Sequence, residues 1–79
     1  MKRYRDKILQ NFAANVKRLR EERDLSQEKL AELCRVHRNY IGRVERAELD
    51  VSLIHVASIA KGLKIQATEL LVDPHERII

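Results

Sequence analysis

Arg38, Asn39, Arg43 and Arg46 fall within one short segment of the chain, and the chemistry these side chains share is hydrogen bonding to nucleic-acid base edges and phosphates. An arginine fork pairs with two acceptors of guanine and an asparagine amide with adenine, each worth about 1 to 3 kcal/mol against a wrong base. Arg46 comes late enough on a helix to favour a phosphate. The bland alternative is a solvated helix face, which Arg and Asn usually form. What decides between them is whether the surrounding residues build a helix that can enter a major groove.

They do so with a specific pattern. Over Gln27–Arg46, apolar Leu30, Leu33, Val36, Ile41 and Val44 alternate with polar residues, and small Ala31 sits where two helices must cross closely. This predicts two short helices around a tight turn, the helix-turn-helix arrangement, with Cys34 a small filler on the buried face. Ile8, Leu9, Phe12, Val16 and Leu19 predict a first helix ending near Arg23. The later starts repeat one device, an apolar residue before the cap packing on the fourth helical position. Leu25, Ser26 and Leu30 do this for the second helix, Val36, His37 and Ile41 for the third, and Val51, Ser52 and Val56 for the fourth. The fourth should run to about Lys61, with Gly62 near its end. Ile65, Gln66 and Leu70 point to a fifth, stopped near Val72 by Asp73 and Pro74. The expectation is an all-α fold of five helices in one domain over 1–79, with one loop of note from Ala47 to Val51.

Composition narrows the function classes. With one Phe, two Tyr and no Trp, the aromatic platforms of single-strand and RNA binders are hard to build, so duplex DNA fits better. Residues 1–46 hold 13 Lys and Arg against 7 Asp and Glu, whereas residues 47–79 hold 3 against 5. The first part reads as phosphate-facing and the second as a self-association side. No apolar run approaches bilayer length and no signal-peptide core is evident, which points to the cytoplasm and away from membranes. One cysteine and three scattered histidines give no disulfide or metal site, and no cofactor is expected. An enzyme would need a nucleophile with its base, a phosphate loop or a metal cluster, and the sequence offers none.

From about Val16 to Leu71 the chain resembles the lambdoid repressor and Cro type of helix-turn-helix regulator, with a lambda-repressor-like fold. The string HRNYIGRVERAELDVSLI looks most like the controller proteins of bacterial restriction-modification systems, small dimeric regulators. The resemblance implies that Gln27 binds phosphate, that Arg20 and Glu45 form a buried ion pair, and that Arg38, Asn39 and Arg43 read bases. His37 reads as a cap that could also touch a phosphate, and Tyr40 as either a phosphate contact or cover for the core edge. Two features depart from the family. Arg35 stands where a glycine is usual, and the loop after the third helix carries Glu48 and Asp50, whose charge opposes phosphate. Lys2, Arg3 and Arg5 could form a basic arm or a solvated tail.

A single recognition helix reaches only a few base pairs, so a homodimer on a palindromic operator is expected. Ile54, Leu71, Ile78 and Ile79 are candidates for its interface. Glu28 and Glu32, one turn apart, match the place where activating relatives touch RNA polymerase, or else form a solvated face. The rival functions are an antitoxin that represses its own operon and a protein-interaction module that has lost DNA binding.

Overall fold

The computed structural model describes residues 2–75, with side chains from residue 5 onward. It comprises α1 (Lys2–Glu22), α2 (Gln27–Cys34), α3 (Arg38–Glu45), α4 (Leu53–Leu63) and a 3-10 turn over Ala67–Leu70. The helix starts follow their caps. Ser26 Oγ accepts from the Lys29 amide at 2.9 Å, His37 Nδ1 from the Asn39 amide at 3.0 Å, and Ser52 Oγ from the His55 amide at 3.1 Å. The staple residues Leu25, Val36, Val51 and Val56 pack against the core, and Leu30 and Ile41 are fully buried.

Among the described residues four α-helices form, not five. The segment expected to be a fifth helix closes after one 3-10 turn for a local reason. An α-helical Leu70 carbonyl would accept from residue 74, which is Pro74 and has no N–H. Asn15, fully buried on α1, takes that role: its amide donates to Leu70 O at 3.0 Å and to Val72 O at 2.7 Å. The turn is thereby tied to α1 and buries Leu70 completely.

The core gathers Phe12, Val16 and Leu19 from α1, Leu30, Ala31 and Cys34 from α2, Ile41 and Val44 from α3, Ile59, Ala60 and Leu63 from α4, and Leu70. Leu33 was expected on the α2 seam but is 47% exposed, since the two neighbours that must face inward, Leu30 and Cys34, already use that stripe. α4 runs on to Leu63 instead of stopping near Lys61, and its cap is Lys64 in the left-handed region. Gly62 lies inside the helix: a Cβ there would stand 3.0 Å from Cys34 Sγ, so its bare Cα is what lets α4 press on α2.

Among the described residues, left-handed backbone occurs instead at four residues with side chains, Asp24, Arg35, Ala47 and Lys64, one just after each α-helix. Arg35 does adopt the strained conformation that its glycine-like position demands, with φ 59°. Its amide closes onto Glu32 O, while the Val36 amide bonds Ala31 O, so the helix ends as a glycine cap would end it.

One buried ion pair locks three helices. Arg20 of α1 gives Nε to Glu45 Oε2 at 2.6 Å, Nη2 to Glu45 Oε1 at 3.0 Å and Nη1 to Leu25 O at 2.7 Å. Gln27 Nε2, at the start of α2, donates to Glu45 Oε1 at 2.9 Å. Only 11% of the Arg20 side chain and 4% of the Glu45 side chain remain exposed. The shared hydrogen bonds with Glu45 hold the Arg20 guanidinium firmly charged, above its ordinary pKa.

Two stability predictions result. Glu45→Ala leaves Arg20 buried without its partner and should cost about 3 to 5 kcal/mol in urea unfolding, while replacing both partners by apolar residues should cost much less. Gly62→Ala should destabilise wild type through the Cys34 contact, by about 1 kcal/mol net of the helical gain. In a Cys34→Ala background the same change should become stabilising, a sign reversal readable in thermal melts.

Candidate nucleic-acid interface

α3 turns one face to the core through the buried residues Ile41 and Val44, which leaves Arg38, Asn39 and Arg43 on the outside. Those three, with Gln27, Gly42 and Arg46, line a shallow groove across the outer side of the helix-turn-helix. Five of the seven residues picked from the sequence therefore converge. The groove has no carboxylate and no large apolar side chain in its lining, so its chemistry is donation of hydrogen bonds to an anionic, acceptor-rich partner.

Gly42 is the lining residue that sequence reading misses. A Cβ at this position would meet Arg46 Nη1 at 3.1 Å and Gln27 Oε1 at 3.7 Å, so the missing side chain lets the Arg46 guanidinium fold across α3 toward Gln27. A signal did exist: glycine inside a helix costs roughly 1 kcal/mol relative to alanine and asks for a packing reason.

The remaining two candidates stand apart from the groove. His37 spends Nδ1 on the α3 cap. Tyr40 packs its ring against the core edge and places its hydroxyl 2.9 Å from His55 Nδ1, with the two rings 4.6 Å apart and tilted. Partial burial pushes the Tyr40 phenol above its usual pKa. His55 of α4 is thus the partner that fixes Tyr40 and connects α3 to α4.

Carboxylates surround the groove without entering it. Glu48 Oε2 accepts from Arg46 Nε at 2.8 Å and Glu48 Oε1 lies 3.8 Å from Arg43 Nε. Arg46 holds the Glu48 carboxyl below the ordinary range, and Glu48 in turn raises Arg46. Glu28 Oε2 is 3.4 Å from Arg38 Nη1, and Glu32 is 3.5 Å from Lys29 Nζ. Both glutamates remain well exposed, with side-chain accessibilities of 74% and 71%. Arg5 does not reach toward the groove as a free arm; it is helical and pairs with Asp50 at 2.9 Å. The side chains of Lys2 and Arg3 lie outside the described residues.

Away from this face, Leu53 and Ile54 at the start of α4 are 86% and 76% exposed, and Leu71 and Val72 are 54% and 48% exposed. Ile54 and Leu71 were expected to be available for pairing; Leu53 and Val72 enlarge the apolar surface, and Ile78 and Ile79 lie outside the described residues. Cys34 is buried, and desolvation raises its thiol pKa, which suits a core filler and not a reactive group.

Comparison with known proteins agrees with this geometry. Residues 16–70 match the family described as Helix-turn-helix. The chain is 44% identical over 64 residues to the control protein C.SmaI of Serratia marcescens, covering 81% of this chain and 76% of that protein. Its structure resembles the restriction-modification controller protein C.AhdI from Aeromonas hydrophila with a TM-score of 0.77 and 40% identity, over 78% of this chain and 94% of the other. It also resembles the hypothetical transcription factor NHTF from Neisseria with a TM-score of 0.84 and 30% identity, over 89% and 80% of the two chains. Caps, buried ion pair and outward-facing basic helix thus coincide with sequence likeness along most of the domain, and the chain belongs to the helix-turn-helix family and, within it, to the restriction-modification controller proteins.

Proposed function

We propose that the protein is a sequence-specific duplex-DNA-binding transcriptional regulator that acts as a homodimer on a near-palindromic operator of a restriction-modification system. The observation that carries this reading is the groove on the outer face of α3, where Arg38, Asn39 and Arg43 converge with Gln27 and Arg46 and no acid enters the lining. In the proposed complex Arg38 and Arg43 read guanine edges and Asn39 reads adenine. Gln27, at the positive end of α2, and Arg46 hold phosphates and set the register. His37 orients the start of α3, with its exposed edge left for a phosphate, and Tyr40 supports the helix from behind. Regulation by concentration suffices, since more chain gives more dimer and more occupied operator. Among the described residues no helix is long and apolar enough to cross a membrane, which suits a protein working beside the chromosome in the cytoplasm.

The apolar residues at the start of α4 and after the 3-10 turn support self-pairing. Two recognition helices related by a two-fold axis would reach half-sites about 34 Å apart. Arg38 bridges the groove to Glu28, so docking on DNA would free that carboxylate and leave Glu28 and Glu32 as an acidic surface suited to RNA polymerase in an activating complex.

Selection of genomic fragments by the purified protein, then titration of the recovered site, tests the reading. A short inverted repeat should emerge, and Arg43→Ala should lose about 1 to 3 kcal/mol on it while binding random DNA almost as before. Recovery of no shared sequence would instead favour the antitoxin or interaction-module alternative. For the dimer, Ile54→Asp should sediment as a folded monomer and lose the operator at concentrations where wild type occupies it. An unchanged sedimentation coefficient would place the interface elsewhere.

A further inference from the structure

The arginines of the candidate DNA face are met by carboxylates of their own chain, and one of these is placed there by the backbone. Ala47 adopts φ 57°, its amide bonds Val44 O at 3.0 Å, and the following Glu48 amide bonds Arg43 O at 3.0 Å. The chain thus turns back under the last turn of α3 and sets the Glu48 carboxylate beside both late arginines. Oε2 accepts from Arg46 Nε at 2.8 Å, Oε1 accepts from Arg46 Nη2 at 3.2 Å, and Oε1 lies 3.8 Å from Arg43 Nε. All three side chains are about half exposed, so solvent screens the pairs and a better partner displaces them readily.

We propose that Glu48 is a specificity-determining residue for DNA binding, an internal acidic competitor that holds Arg43 and Arg46 against indiscriminate phosphate contact. This inference rests on the DNA-reading role assigned above. Phosphates are present on every duplex, and sequence-independent affinity comes almost entirely from cations that replace condensed counterions. Glu48 removes about one positive charge from that account and adds repulsion against the backbone. On the operator the balance differs, because Arg43 gains a bidentate base contact that a random-sequence duplex does not offer. The carboxylate therefore subtracts more from wrong sites than from the right one.

The test compares wild type, Glu48→Gln and Glu48→Asp on the selected operator and on a random-sequence duplex of equal length, each across a salt series. Glu48→Gln preserves size and an acceptor at a half-exposed site, and a thermal melt verifies folding. Its affinity for random DNA should rise about five- to tenfold at low salt, with the log–log salt slope steeper by about 0.9, the value for one more neutralised phosphate. The ratio of operator to random affinity should fall at least about threefold, a difference of about 0.6 kcal/mol (RT ln 3). Glu48→Asp, which keeps the charge, should stay close to wild type. Unchanged random-DNA affinity and slope in Glu48→Gln, with wild-type operator preference intact, would overturn the role of Glu48 while leaving DNA reading in place. A wild type without any preferred sequence would overturn the DNA-reading assignment itself.

Discussion

The orientation of the recognition helix depends on one desolvated ion pair. Glu45 is the last residue of α3, Arg20 lies near the end of α1, and Gln27 opens α2; their hydrogen bonds meet at a single carboxylate. Apolar packing through Ile41 and Val44 fixes how close α3 lies to the core but is non-directional. The bidentate fork adds the angle and the register, since a slip by one residue would leave two charges buried without partners. Such pairs add little net stability, so the value of Arg20 and Glu45 lies in making any other placement of α3 unfavourable. Gln27 couples this hub to the proposed DNA face: the side chain that bonds Glu45 also lines the groove with Arg43 and Arg46.

Much of this is legible in the sequence because the deciding interactions are local. Ser26, His37 and Ser52 act within three residues of themselves, and each staple reaches only five. The spacing of Arg38, Asn39 and Arg43 against Ile41 and Val44 follows from helical periodicity alone. What the sequence hides are the contacts made across the fold. Asn15 finds its acceptors at Leu70 and Val72, more than fifty positions away, and nothing near Asn15 announces that it will finish the helix Pro74 cannot. His55 likewise acquires its role only when α4 brings it to Tyr40.

The glycines and the left-handed residues show the same limit in another form. Habit places glycine where φ is positive, yet here both glycines lie within helices and four residues bearing side chains take the strained positions. Gly42 and Gly62 are used for volume: one admits the Arg46 guanidinium, the other admits Cys34 Sγ. Each left-handed residue costs on the order of 1 to 2 kcal/mol in isolation, so the surrounding core must hold it in place. Conformational and steric demands on glycine are indistinguishable in a string of letters; they separate only when the neighbouring helix is known.

A strained Ala47 has a consequence for the surface that a glycine would weaken. Glycine there would relieve φ but would also widen the range of conformations open to the chain after α3. The methyl group narrows that range, and the bonds from the Ala47 and Glu48 amides back to Val44 and Arg43 define a single course for the chain. An acidic residue in a freely moving loop would merely lower the affinity for every duplex. Held beside Arg43 and Arg46 by a determined backbone, the same charge acts on particular donors, and affinity and selectivity become separable quantities in a domain with little material for both.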